Sequence, residues 1–430
     1  MTNSLWTDTA QLPEFPSLRG NKKTDVLIIG GGLAGLLCAH KLSQAGVDCV
    51  LLEATRLCGG ITKNTTAKIT SQHGLIYRKL TQTFGKEKAQ MYLHANEAAL
   101  KEYRSLCKTI PCGFEEKDSF VYSSHPGDIT QELHTLHRLG FPAEYASSLP
   151  LPIRDVSAIR FKHQAQIHPL EFAAHIAQGL HIYENTPVRE LIGCLAVTDQ
   201  GKVKADKIIV ATHFPFLNKH GMYFLKLYQQ RSYVLALENA QDVGGMYIGA
   251  EENSLSFRNY GDLLLLGGGG HRTGKTGGSW AELRSFAQAR YPGAKAKYHW
   301  ATQDCMTLDG VPYIGQYSRN TPNLYVSTGF NKWGMTSAMV SAMILTDLVQ
   351  GKENPYAPVF SPSRSLLHKQ LFINTVESAG NLLRFSKKRC PHMGCALKWN
   401  PQERSWDCPC HGSRFTEDGR LIDNPATGDL

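Results

Sequence analysis

The sequence has no long apolar run. Nowhere in its 430 residues is there a stretch near the roughly 20 apolar residues that span a bilayer, which excludes an obvious helical membrane span. Its start, MTNSLWTDTAQLPEFPSL, lacks a basic segment followed by an apolar core, so no secretory leader is expected and a cytoplasmic location is. It also lacks a long basic block. The formal charge of +9 is therefore spread out, and nucleic acid is not an expected partner. Cysteine is not arranged as a disulfide scaffold. Seven of the eleven (Cys38, Cys49, Cys58, Cys107, Cys112, Cys194, Cys305) are scattered, and only Cys390, Cys395, Cys408 and Cys410 cluster, near the end. With 42% hydrophobic and 19% charged residues, this is an ordinary globular composition, with length for roughly two or three domains.

What is present begins with TDVLIIGGGLAGLLCAHKLSQAGVDCVLLEATRLCGG, residues 24–60. Val26 to Ile29 suits a buried parallel strand, Gly30, Gly31 and Gly32 a sharp turn, and Leu33 to Ala45 an apolar helix. In this G-x-G-x-x-G, Gly30 permits the turn, Gly32 lets backbone approach a pyrophosphate, and Gly35 lets the helix lie close to the strand. A second strand, Val47 to Leu52, ends on Glu53, 18 residues after Gly35, placed to accept hydrogen bonds from a ribose hydroxyl pair. Strand, turn, helix, strand and acid in order predict a dinucleotide site. The polar run that follows, with Thr65, Thr66 and Lys68, is expected to line the cofactor, although a surface loop is the plainer alternative.

Further on, residues 82–107 read as helix, and Asp128 to Leu139 as a short helical piece among strands. Ala205-Asp206 precedes an apolar strand, Ile208 to Ala211, that ends at Thr212. Residues 223–300 contain Tyr- and Leu-rich strands, including Leu263 to Leu266. Within them GGHRTGKT, Gly269 to Thr276, spells a phosphate loop. A working loop needs a helix starting at its Lys-Thr, and Gly277 and Gly278 would each cost about 1 kcal/mol in that first turn, so a flexible loop near the active site is expected instead. Leu324 to Ser327 reads as a strand, Thr328 to Gly334 as a turn and Met335 to Val349 as a helix. With the glycine motif, the ADKIIVAT stretch and these last elements, residues 22 to 350 resemble the D-amino-acid oxidase type of FAD-dependent oxidoreductase. That resemblance implies FAD contacts at Thr212, Gly329, Gly334, Met335 and Thr336, with the last helix aiming its positive end at the flavin, where charge develops on reduction. It implies an amine or amino-acid-like substrate and leaves the catalytic residues unassigned. In the sarcosine-oxidase type a cysteine next to Met holds flavin covalently, a place comparable to Cys305 here; a buried, hydrophobe-like cysteine is the commoner fate.

After a proline-rich stretch, ENPYAPVFSPSRS, and an amphipathic segment from Leu366 to Phe385, expected to pack as a helix, the basic run Lys387, Lys388, Arg389 leads to Cys390-Pro-His392. Fifteen residues later comes Cys408-Pro-Cys410-His411. Two thiolates and two imidazoles in two short loops suit tetrahedral zinc or a two-iron cluster whose irons take the cysteines and the histidines separately, for which the cramped C-x-H is better adapted. The wording CPHMGC…CPCHGSRF closely resembles the Rieske proteins of respiratory cytochrome complexes. The resemblance implies ligation by Cys390, His392, Cys408 and His411 and a disulfide between Cys395 and Cys410. Only 41 residues run from Cys390 to Leu430, so the unit is expected to lean on its cluster and on the flavin unit.

The expected fold is α/β: a Rossmann-like FAD-binding domain (about 22–110, 151–215 and 299–350) with an inserted antiparallel sheet substrate domain (about 111–150 and 216–298). A linker and helix (351–386) and a small Rieske-like β unit (387–430) follow. The expected activity is hydride removal from a small-molecule substrate by FAD, with single electrons leaving through a 2Fe-2S cluster to an acceptor protein or quinone. The alternative is an electron-transfer or redox-sensing flavoprotein with no organic substrate.

Overall fold

The computed structural model describes residues 4–365 and 368–430. An eight-stranded sheet carries the first strand, Lys22–Ile29, at its centre, with Lys202–Val210 parallel on one side and Cys49–Leu52 parallel on the other. Leu324–Thr328 continues the parallel order beyond Lys202–Val210. Val26, Leu27, Ile28 and Ile29 are all buried, as a strand covered on both faces requires. The helices Leu33–Gln44 and Gly334–Val349 pack together over one face. Gly35 is what allows this helix to sit so low: a Cβ there would lie 1.9 Å from Gly30 O.

A nine-stranded sheet forms the second layer. It is antiparallel except where Met246–Gly249 runs parallel to Glu115–Ser123. Its longest members are Leu227–Glu238 and Lys295–Thr307, paired along their whole length. Ser157–Gln166 also belongs to it. Ser157–Gln166 therefore sits outside the segments expected for the inserted sheet domain, and Lys295–Thr307 runs mostly beyond their end at about 298, because the partners of both lie across the second sheet and not beside the glycine motif.

The last unit is a four-stranded antiparallel sheet, Lys398–Asn400, Ser405–Asp407, Arg414–Thr416 and Leu421–Asp423. The amphipathic segment before it forms the helix Lys369–Leu383; Leu366 lies outside the described residues. This helix was expected to bury its apolar face, and it does the reverse. Its buried side chains are Asn374 and Asn381, while Phe372, Val376 and Leu383 are exposed.

Candidate functional site

A cavity of about 700 Å³ opens between the two large sheets. Its walls include Gly30, Gly32, Glu53 and Thr186 around the glycine turn, and Gly329, Trp333, Gly334 and Met335 at the start of the Gly334–Val349 helix. Gly30 has φ +110, and a Cβ there would stand 2.6 Å from Ala211 O, so the turn and the end of the Lys202–Val210 strand are in backbone contact. Glu53 holds this corner together. Its Oε2 accepts from Gly31 N at 2.7 Å and its Oε1 from Thr55 N at 2.9 Å. Thr65, Thr66, Lys68 and Thr212 also line the cavity. Lys68 Nζ donates to Thr66 Oγ1, and burial, with the Arg258 guanidinium adding to it, pushes the ammonium down to about 7. Thr336 is not in the wall: its hydroxyl donates to Thr70 O at 3.2 Å and lies 3.0 Å from His73 Nε2. Gly35 acts through packing alone.

A glycine turn at a helix N-terminus, an acid at the end of the second strand, and a second helix whose first turn faces the same cavity make a cradle that fits FAD. Cys305 is not part of it. On the Lys295–Thr307 strand, Asp304 and Met306 face the cavity, and the alternation of the strand sends Cys305 into the core. There its sulfur lies 3.8 Å from Thr328 Oγ1 and burial pushes the thiol up to about 12. It is the buried, inert cysteine.

The four expected cluster ligands come together. Cys390 and Cys408 are buried, the His392 and His411 ring centroids are 4.9 Å apart, and Cys395 and Cys410 are joined as a disulfide beside them. His392 Nδ1 and both ring nitrogens of His411 are buried with no hydrogen-bond partner among the described residues. Burial pushes His392 down to about 4 and His411 to about 3, so both rings are neutral and able to ligate. Two thiols and two orphaned neutral imidazoles fit a 2Fe-2S centre with divided ligation.

The histidines face the flavin layer. Phe214 lies 6.3 Å from His392 and 6.1 Å from His411 between ring centroids, and His392 Nε2 is 3.0 Å from Asn218 Oδ1. Phe214 follows Thr212 and His213, both in the cavity wall. His213 adopts the left-handed conformation, φ 66, uncommon for a residue with a Cβ. Other contacts lock the unit in place. Gln303 Nε2 donates to Gly412 O at 2.9 Å, and Asn424 Nδ2 to Phe214 O at 2.9 Å. Glu403 accepts from Arg231 and Arg414, and from the Tyr233 hydroxyl at 3.1 Å. Leu421, Asp423, Asn424 and Thr427 of the last unit close part of the cavity itself. The GGHRTGKT segment is a docking contact and not a phosphate loop. Its helix starts only at Ser279, past both glycines, and a Cβ on Gly274 would meet Pro409 at 2.8 Å.

This chain belongs to the FAD dependent oxidoreductase family, whose model matches residues 25–348, and residues 360–430 match the Rieske [2Fe-2S] domain. FAD and a 2Fe-2S cluster are accordingly its cofactors. Over 98% of its length it is 33% identical to YhfW of Bacillus subtilis (strain 168), whose name describes a Rieske 2Fe-2S iron-sulfur protein, covering 96% of that chain. Gamma-glutamylputrescine oxidoreductase of Escherichia coli (strain K12) is 24% identical over 81% of this chain and 89% of its own. In fold the chain is similar to the crystal structure of glycine oxidase from Geobacillus kaustophilus, with a TM-score of 0.65 and 19% identity over 80% of this chain and all of that one.

Some residues of the site had no signal in the sequence. Asp304 and Lys332 both face the cavity. Asp304 is half-buried, accepts weakly from Ser232 Oγ at 3.4 Å, and desolvation pushes its carboxyl up to about 6 against the pull of Lys332. Strand alternation around Cys305 was the one clue available, and it needed the cavity side to be known.

Proposed function

We propose that the protein oxidises an amine or amino-acid-like substrate and delivers the electrons singly, through its cluster, to an external acceptor. When bound, FAD supplies hydride acceptance and the cluster supplies one-electron transfer. Our reading rests on one shared wall: the segment Thr212–Phe214 borders the cavity on one side and the cluster histidines on the other. Glycines 30 and 32 and Glu53 would hold the dinucleotide, and Cys390, His392, Cys408 and His411 the two irons. Asp304 and Lys332 put one carboxylate and one ammonium in the cavity, the pair that would orient a zwitterion. The name of the gamma-glutamylputrescine relative supports the amine class.

No helix among the described residues is long and apolar enough to cross a membrane. The test is an anaerobic screen of amines, amino acids and hydroxy acids for bleaching of the flavin, followed by appearance of the reduced-cluster EPR signal. Bleaching by an amine with later cluster reduction is expected. If no organic compound bleaches the flavin while a reduced protein partner does, the chain is an electron carrier without a substrate of its own.

A further inference from the structure

The helix Lys369–Leu383 is built inside out for a helix resting on a protein. At about 100° per residue, Phe372, Val376 and Leu383 fall within about 40° of one another, and Asn374 and Asn381 fall opposite. The asparagine side is the one that docks. Asn374 Nδ2 donates to Leu225 O at 3.2 Å and its Oδ1 accepts from Arg272 Nη1 at 3.0 Å, while Asn381 O accepts from Ala396 N at 3.0 Å. The apolar side faces outward, with Phe372 at 72% exposure and Leu383 at 88%, followed by Phe385 at 90%. Seven of the thirteen large apolar side chains exposed among the described residues lie between Phe372 and Met393. A patch of this kind marks an interaction surface.

Charge says what covers it. Lys369, Arg384, Lys387, Lys388 and Arg389 flank the apolar stripe, and none of them forms an ion pair with a carboxylate among the described residues. The only acid in residues 369–389, Glu377, is neutralised by Lys275 from the docked side. Lys388 lies over the Trp406 ring and Arg389 is engaged with backbone carbonyls, but Lys369, Arg384 and Lys387 are exposed. Protruding Phe and Leu flanked by such cations are complementary to a lipid bilayer with anionic headgroups: the apolar side chains enter the acyl boundary and the cations meet phosphates. A soluble acidic partner would satisfy the cations and leave the aromatic and leucine side chains with little to bury them.

We propose that this face is a peripheral membrane anchor for anionic lipid. Arg389 Nη1 donates to Leu382 O at 3.2 Å and to Gly394 O at 2.7 Å, so the end of the helix is tied to the first ligand loop, and binding holds that loop at the bilayer surface. Because vesicle binding is measured without substrate, the proposal stands or falls apart from the substrate class.

The experiment uses the full holoprotein, floated with phosphatidylglycerol/phosphatidylcholine vesicles and with phosphatidylcholine alone. Flotation with the anionic vesicles only, weakening as salt rises, is expected. Leu383→Ser combined with Phe385→Ser should lower partitioning at least about tenfold, with the flavin absorbance and cluster EPR signals of wild type reporting that the variant is folded. Protein left unbound by anionic vesicles, or bound equally by the double variant, overturns the proposal. So does a wild-type dimer that binds no vesicles and is dispersed by the same substitutions, which would assign the face to a second copy. Absence of vesicle binding together with salt-sensitive electron delivery to an acidic carrier protein would assign it to that carrier and overturn it equally.

Discussion

Around the cavity, strands run to thirteen residues in Lys295–Thr307 and twelve in Leu227–Glu238, and Leu227–Glu238 contributes buried side chains to three large apolar clusters. In the cluster unit each of the four strands has three residues. Its apolar core cluster is Cys390, Cys395, Leu397, Cys408, Cys410, Phe415 and Ala426, and four of those seven are the two cysteines expected as ligands and the two disulfide partners. The first region is a fold that contains a site; the second is a site that doubles as the core of its fold. A unit this small gains too little from apolar burial to stand alone, so ligand bonds, the disulfide and the docking network must supply the difference.

The largest effect should come from attacking that dependence. Cys408→Ser removes a fully buried thiol, one of the four expected ligands. It should abolish the cluster, with iron and acid-labile sulfide falling to background, and expose residues 387–430 to protease, while FAD stays bound. Loss of FAD from the same variant would show that the two regions are one cooperative unit and would break the comparison.

Next in size is the latch. Glu403 sits between the Arg231 and Arg414 guanidiniums, all three nearly fully buried. Glu403→Ala removes the carboxylate the two guanidiniums share, leaving Arg231 with only Asp423 at 4.0 Å while Arg414 keeps Asp407 and Asp423, and should cost about 3 kcal/mol, read as earlier loss of cluster absorbance in a urea titration. The arginines hold the Glu403 carboxyl down to about 2 against the opposing effect of burial. A depressed acid stabilises the fold above its unfolded pKa, so this contribution should be intact above about pH 4.5 and fade as pH falls toward about 2. The cluster should therefore detach in acid before the flavin does.

On the other side of the comparison, Glu53→Ala should act on cofactor affinity and leave the cluster alone. It loses the charge-assisted contacts at the glycine turn and those expected to the ribose, about 1.5–3 kcal/mol or roughly tenfold to a hundredfold in FAD affinity. Dialysis followed by flavin quantitation measures it. Unchanged retention would remove Glu53 from the cofactor site.

How far the sequence could be read follows the same division. The glycine turn was legible because Gly30, Gly32, Gly35 and Glu53 encode a local strand–turn–helix–strand whose spacing is the chemistry. The Rieske unit was legible because its four expected ligands sit in two short words. Thr336 was misplaced from the cavity wall because a helix start shows which residues are near a ligand and not which way each points. The membership of Ser157–Gln166 and Lys295–Thr307 in the second sheet depends on partners far along the chain, which periodicity does not carry. The docking network was hidden for a similar reason: Arg231 and Tyr233 lie 172 and 170 residues from Glu403 along the chain. The inverted helix at Lys369–Leu383 shows the limit most plainly, since its amphipathic pattern was evident and only its outward direction was not.

The smallest expected effect sets two carboxylates against each other, one in each region. Glu403 is held low by two guanidiniums, whereas Asp304 is pushed up to about 6 by burial, with Lys332 and Arg231 and the Ser232 hydroxyl only partly opposing the shift. Asp304 is therefore neutral below about pH 6 and charged above it. If it faces the substrate ammonium, anaerobic flavin bleaching at low substrate should strengthen as pH rises through about 6 and then level off. Asp304→Asn should flatten that step and raise the substrate concentration needed roughly tenfold, the loss of about 1.4 kcal/mol expected for a single charged hydrogen bond, with FAD content and cluster EPR unchanged. A variant that keeps the step at pH 6 would place the titrating group elsewhere in the cavity and leave Asp304 as part of its wall only.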